Sequence, residues 1–162
     1  MDAAALEAHI PRLRRYARAL AGDPDRADDL VQDTLERALR KFSLWRRGSD
    51  LRAWLFTLMH NLYVNQRRAE RPMLEWNEAY LAPVAATQEE QLMVRDLQRA
   101  LQQLPPEFRE VVLLVGLEDF SYAQAAAILG IPRGTVMSRL SRGREKLRRA
   151  MEGELPPTEK GR

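Results

Sequence analysis

Apolar residues recur along the chain with the period of a helix. Leu6, Ile10, Leu13, Ala17 and Leu20 stand at i, i+4, i+7, i+11 and i+14, one face of a single helix that Gly22 ends. The next segment, "DPDRADDL", restarts the chain: Asp23 fits an N-cap and Pro24 the first helical position, where a missing N–H costs nothing. Ala27, Leu30, Val31, Leu35, Ala38 and Phe42 then line the inner side of a second helix, with Leu35 and Leu39 both read as core. A third helix starts near Ser49 or Asp50 and carries Leu51, Trp54, Leu55, Leu58 and Leu62, so that Trp54 lies on the apolar stripe. It fades through "NQRRAERP", where Pro72 closes the pattern.

Residues 73–88, "MLEWNEAYLAPVAATQ", sustain no period and place Pro83 among small residues, which reads as a linker with room for a short helix. Beyond it Met93, Leu97, Ala100, Leu101 and Leu104 resume a stripe, and Pro105 and Pro106 end that helix and start another through "EFREVVLLVGL". In "SYAQAAAILG", Ser121 and Gln124 match a capping box and Gly130 the residue just past a helix end. A last helix covers 133–151. No stretch carries a strand signal strong enough to place a sheet. The expected fold is all-α: two small helical domains, 1–72 and 89–152, joined by a flexible linker at 73–88 and followed by a frayed tail at 153–162.

Composition narrows the function classes. At 162 residues, 45% hydrophobic and 30% charged, the chain suits a soluble globular protein. It has no cysteine, which excludes disulfides and thiolate metal sites. His9 and His60 stand far apart without a ligand-spaced neighbour, so neither a metal nor a cofactor is expected. There is no Gly-rich phosphate loop and no paired nucleophile and base, so the chain does not read as an enzyme. Without a signal-like start or an apolar run of membrane length, a cytoplasmic protein with no membrane contact is expected. The net charge of +3 is modest, and its placement says more. Residues 23–36 hold Asp23, Asp25, Asp28, Asp29, Asp33 and Glu36 against Arg26 alone. In contrast, "LGIPRGTVMSRLSRGREKLRR" at 129–149 holds Arg133, Arg139, Arg142, Arg144, Lys146, Arg148 and Arg149 against Glu145. Separate acidic and basic surfaces point to more than one partner.

Winding 133–151 at about 100° per residue gathers Val136, Leu140, Gly143, Leu147 and Ala150 into a narrow packed sector. Gly143 there permits close approach of a neighbouring helix. Ser138, Arg142, Glu145 and Arg149 fall opposite. A short helix, a Gly-containing turn and a longer helix with polar outward residues form the helix-turn-helix pattern, whose second helix enters the major groove. A solvated basic face on an all-α protein is the plainer reading of the same charge.

The phrase "SYAQAAAILGIPRGTVMSRLSRGREKLR" strongly resembles region four of bacterial RNA polymerase sigma factors, especially the extracytoplasmic-function (ECF, group IV) type. Gly134, Thr135, Val136, Ser138, Arg139, Leu140 and Arg142 match that family's G-T-V-x-S-R-L-x-R core, and "LQQLPPEFREVVLLVGLEDFSY" looks like its approach. "DRADDLVQDTLERALRKF" resembles the polymerase-binding segment of region two, with Asp29, Leu30, Val31 and Gln32 at its centre. "LRAWLFTLMHNLYVNQRR" resembles the segment that engages the minus-ten element, with Trp54, Leu55, Asn61 and Arg68 in family-like places. The resemblance covers residues 5–150. The chain departs from the pattern at Ala123, Gln124 and Ala125, where Glu, Glu and Ile are common, at Met137 (Lys or Arg), at Gly143 (Ala) and at Asn65 (Asp).

The resemblance implies an alternative sigma factor that binds core RNA polymerase and directs initiation at promoters carrying minus-ten and minus-thirty-five elements. Region two would occupy 1–72 and region four 89–152. Asp29, Gln32, Asp33 and Glu36 would dock on core polymerase. Asn61 and Asn65 would meet base edges of the opened minus-ten element, with Arg67, Arg68 and Arg71 on its backbone. At the minus-thirty-five duplex, Ser138 and Arg142 would reach base edges, and Met137 and Ser141 would make apolar or shape contacts. Arg133, Thr135, Arg139 and Arg144 would hold phosphates. An anti-sigma factor is the further partner the family implies. Two other readings stay open: an autonomous helix-turn-helix regulator, which leaves the region-two helices unused, and a sigma-like decoy, which has little need of the basic outward face.

Overall fold

A computed structural model describes residues 3–45, 48–69 and 87–153, and among these all regular structure is helical. The N-terminal stripe is divided between two helices, α1 (Ala3–Glu7) and α2 (Ile10–Ala21). Pro11 is the cause: it has no N–H to continue the ladder, and its ring would strike the preceding turn. The expected single helix therefore breaks at Ala8 and His9, while Leu6 and Leu13 still reach the same core. Gly22, at φ 77°, ends α2, and the Asp23 carboxylate accepts from the Arg26 N–H at 2.9 Å to start α3 (Pro24–Lys41). A short 3₁₀ turn, Phe42–Leu44, closes α3. The Asp50 carboxylate accepts from the Ala53 N–H at 3.1 Å and opens α4 (Leu51–Ala69). Trp54 is half-buried against Phe42, ring centroids 6.4 Å apart and edge to face.

The second half begins with a reciprocal box between Thr87 and Glu90 at the start of α5 (Gln88–Gln103). Pro106 occupies the first turn of α6 (Pro106–Val112). The following residues do not continue as an α-helix. Leu113–Leu117 form a π-helical turn, with the Glu118 N–H bonded to the Leu113 carbonyl at 3.0 Å and the Phe120 N–H to that of Leu114 at 3.0 Å. The wider turn shifts the register and swings Glu118 and Phe120 inward. Asp119 takes the left-handed conformation at φ 59°, which Asp tolerates better than most residues. Then come α7 (Tyr122–Leu129) and α8 (Arg133–Met151), separated by Gly130 in the left-handed region at φ 67° and a short turn through Pro132.

In the first half α2 packs on α3 and α3 on α4; in the second, α5, α6 and α7 all pack on α8. The halves also pack on each other, through α4 against α7 and through α2 against α5, α6 and the π turn. One core cluster runs through both, from Leu13, Leu30 and Phe56 to Leu114, Phe120 and Val136. Phe56 joins Tyr16 at 5.0 Å on one side and Phe120 at 5.2 Å on the other, both edge to face. Most of the stretch read as a linker, the tail from residue 154 onward and Arg71 lie outside the described residues.

Candidate nucleic-acid and protein interfaces

The helix-turn-helix is built as its turn chemistry requires. The Gln124 N–H donates to Ser121 Oγ at 3.1 Å, and the Ser121 N–H donates to Gln124 Oε1 at 2.9 Å. This double cap starts α7, Gly130 stops it, and α8 follows at once. Val136, Leu140 and Gly143 are buried, with Leu147 and Ala150 half-buried behind them. At Gly143 the helices nearly touch: a Cβ there would lie 2.8 Å from Val112 Cγ2 and 3.3 Å from the Phe108 carbonyl oxygen. This packing fixes the roll of α8 and therefore its outward residues.

Arg133, Met137, Ser138, Ser141, Arg142 and Arg144 are exposed on α8, while Thr135 and Arg139 are half-buried at its edge. Charge divides the helix along its length. Near the C-terminal end Glu145 binds Arg148 and Arg149, and Arg148 also reaches Glu152 at 2.8 Å. The paired arginines hold the Glu145 carboxyl below its ordinary range, and the two glutamates push the Arg148 guanidinium upward. Arg133, Arg139, Arg142 and Arg144 have no acidic partner among the described residues, which leaves four guanidiniums available to an anion.

On α4, Asn61, Asn65, Arg67 and Arg68 are exposed, and spacings of four and three residues put Asn61, Asn65 and Arg68 in one line. Arg67 lies 5.9 Å over the ring of the buried Tyr63. On α3, Asp29, Gln32, Asp33 and Glu36 form one exposed face. Gln66 donates to Asp33 at 3.3 Å, and Arg40 pairs with Glu36 at 3.0 Å. Leu35 is half-buried as expected, but Leu39 is 50% exposed, which corrects its reading as core. At 100° per residue it lies beside Gln32 and well outside the Ala27–Ala38 stripe, so the signal was present in the spacing. It adds an apolar margin to an otherwise polar face.

Sequence reasoning missed the residues between the halves. Arg109 is 4% exposed and donates to four backbone carbonyls: Leu101 at 2.8 Å, Leu104 at 2.8 Å, Gln102 at 3.3 Å and Leu20, across the interface, at 2.8 Å. Burial lowers its pKa from the ordinary arginine value. His60 Nδ1 and Glu110 Oε1 are 2.5 Å apart, and Gln102 donates to the Ala19 carbonyl at 3.0 Å. A groove of about 770 Å³ opens between α2 and the α5–α6–α8 face, with Arg14, Arg15 and Arg18 on one lip and Val94, Leu97, Leu113 and Leu117 among its apolar walls. Among the described residues no cluster of acidic or histidine side chains could hold a metal ion, and no helix is long and apolar enough to cross a membrane.

Both halves match known families. Residues 6–60 match the Sigma2 domain of PhyR, and residues 95–147 match Sigma-70, region 4. The ECF RNA polymerase sigma factor EcfG of Rhodopseudomonas palustris is 43% identical over 143 residues, which span 86% of this chain and 79% of that one. The ECF RNA polymerase sigma factor SigE of Mycolicibacterium smegmatis is 37% identical over 148 residues, 86% of this chain and 57% of that one. Among solved structures, the sigma factor RpoE in complex with the anti-sigma factor NepR from Bartonella quintana superposes with a TM-score of 0.80 at 34% identity, over 91% of this chain and 94% of that one. CnrH in complex with the cytosolic domain of CnrY gives 0.70 at 25% identity, over 93% and 86%. With region-two and region-four halves in the right order, a double-capped helix-turn-helix and relatives matched along most of its length, the chain belongs to the ECF RNA polymerase sigma factor family.

Proposed function

We propose that the chain works as an initiation factor in the cytoplasm, by binding rather than catalysis: it docks on core RNA polymerase through α3 and reads a two-element promoter through α4 and α8. The observation that supports this reading best is the outward face of α8, where Arg133, Arg139, Arg142 and Arg144 have no acidic partner among the described residues and stand beside exposed Ser138 and Ser141. Arg142 and Ser138 meet base edges of the minus-thirty-five duplex, with Met137 and Ser141 against methyl groups or groove walls. Arg133, Thr135, Arg139 and Arg144 hold phosphates. On α4, Asn61 and Asn65 offer donors and acceptors to bases leaving the minus-ten stack, and Arg67, Arg68 and Arg71 hold the strand. Asp29, Gln32, Asp33 and Glu36 supply the polar part of the polymerase contact, with Leu39 at its edge.

An anti-sigma factor is the second partner, as in the RpoE complex with NepR. The groove beside α2 suits an amphipathic helix with an apolar ridge and an acidic edge, given its leucine walls and arginine lip. Run-off transcription with purified core polymerase tests the main reading. Promoter-specific transcripts that require this protein support it. Tight binding to an operator without polymerase, and no transcript with it, would instead favour an autonomous regulator.

A further inference from the structure

Resting on the sigma-factor reading above, we infer that Glu145 is a positioning residue: it withholds the C-terminal arginines of α8 from the DNA backbone and so limits the part of the grip that is blind to sequence. The charge along α8 changes character at this residue. Residues 133–144 carry four arginines and no acid, whereas residues 145–152 carry Lys146, Arg148 and Arg149 against Glu145 and Glu152. The spacing puts the Glu145 carboxylate three and four residues before two guanidiniums, on one side of the helix and in the favourable order, acid before base. Glu145 Oε2 accepts from Arg148 Nη2 at 2.5 Å and from Arg149 Nε at 3.1 Å, and Oε1 accepts from Arg148 Nε at 3.2 Å. Arg148 Nη1 donates to Glu152 Oε1 at 2.8 Å, so all three nitrogens of that guanidinium are engaged. Lys146 is drawn aside as well, its Nζ 5.6 Å over the Phe108 ring.

Position alone would leave these arginines within reach of DNA. Arg149 falls opposite the packed stripe of α8, on the side that carries Ser138 and Arg142. It lies five residues beyond Arg144, about 7.5 Å along the axis, or roughly two base-pair steps. A single exposed ion pair is weak, and a phosphate could compete for it. Here a phosphate approaching Arg148 has to displace two carboxylates. One that takes either arginine also leaves Glu145 facing it, like charge against like charge.

Phosphate contacts add affinity for every sequence and carry no sequence information themselves. Arg133, Arg139, Arg142 and Arg144 are enough to seat α8; two further arginines would tighten its hold on promoter and bulk DNA together. Each phosphate neutralised adds about 0.9 to the slope of log affinity against log salt. Releasing Arg148 and Arg149 should therefore steepen that slope by about two, and between 50 and 200 mM salt affinity should fall about tenfold further than the wild type's.

Holoenzyme made from the full chain and core polymerase tests this by the salt dependence of its binding to promoter and non-promoter duplexes, since contacts shared by all variants cancel. Glu145 is exposed, so Glu145→Gln should keep the wild-type circular dichroism. It should bind both duplexes more tightly at low salt and show the steeper slope. Arg148→Ala with Arg149→Ala should keep the wild-type slope, because in the wild type neither arginine reaches a phosphate. Adding Glu145→Gln to that pair should steepen the slope by less than about half a unit, which separates release of the arginines from loss of a repelling carboxylate. A slope about two units shallower in the double-alanine protein would mean that both arginines already hold phosphates, and overturns the proposal. Equal steepening by Glu145→Gln with and without the arginines overturns it too. A wild-type holoenzyme that yields no promoter-specific transcript overturns the functional reading itself; an active one whose slope is unchanged by Glu145→Gln overturns only the role given to Glu145.

Discussion

Arg142 and Arg144 stand two residues apart on the same exposed stretch of α8, yet they should fail differently. Arg142→Ala should cost roughly 1–3 kcal/mol of discrimination at one minus-thirty-five position and relax specificity there. Arg144→Ala should weaken binding to every promoter alike and reduce its salt dependence by about one charge. Holoenzyme competition assays on promoters substituted base by base, at two salt concentrations, separate the two. Equal specificity in Arg142→Ala would place that residue off the bases. Gly143 makes a different kind of claim. Alanine in a helix interior normally gains about 1 kcal/mol over glycine, but here its Cβ would meet Val112 at 2.8 Å and the Phe108 carbonyl at 3.3 Å. Overpacking of this kind costs about 1–3 kcal/mol, so Gly143→Ala should lower the urea midpoint and Val112→Ala should restore part of it. Which residues of α8 face outward and which inward was legible in the sequence, because 100° spacing fixes their positions once the helix exists. The exposure of Leu39 was legible by the same rule, but its hydrophobicity outweighed its position on the wheel.

Whole elements were legible where the chain carries its own start and stop signals. Ser121, Gln124 and Gly130 frame α7 in sequence as they do in space. Replacing Ser121 by Ala should therefore cost about 1 kcal/mol, with the loss confined to the first turn of α7. Amide exchange should speed at residues 122–125 while the N–H groups of α8 beyond Val136 stay protected. Two irregularities escaped the pattern for physical reasons. An apolar stripe runs straight through Pro11, and periodicity does not count hydrogen bonds, so one helix was expected where proline makes two. The run Leu113–Leu117 is apolar throughout except for Gly116, and such a run looks the same to a periodicity whether it winds as α or π. What decides for the wider turn lies elsewhere in the molecule: the arginines that receive Glu118 and the ring that receives Phe120.

At the scale of the molecule, the docking of the two halves was beyond a linear reading, because many of the groups that make it, beside the shared apolar core, are charged ones. Arg109, Glu110, Glu118 and Arg52 would ordinarily be assigned to solvent, and only their convergence from separate helices shows otherwise. Arg109 illustrates the energetics. Its five donors in a planar fork satisfy the carbonyls that end α5, together with the last turn of α2, and no apolar residue could do so. Arg109→Met fills similar space but orphans buried acceptors, each worth about 1–3 kcal/mol when left unmade. A loss of about 3 kcal/mol or more is expected, a large part of the 5–15 kcal/mol typical of a folded domain. Arg109→Lys should fall between, since one ammonium has fewer donors and no fork. Urea denaturation of the three proteins measures the order directly. If Arg109→Met unfolds at the wild-type midpoint, the carbonyls find water instead, and the cohesion of the two halves must come from the aromatic contact of Phe56 with Phe120 and the apolar surface around it.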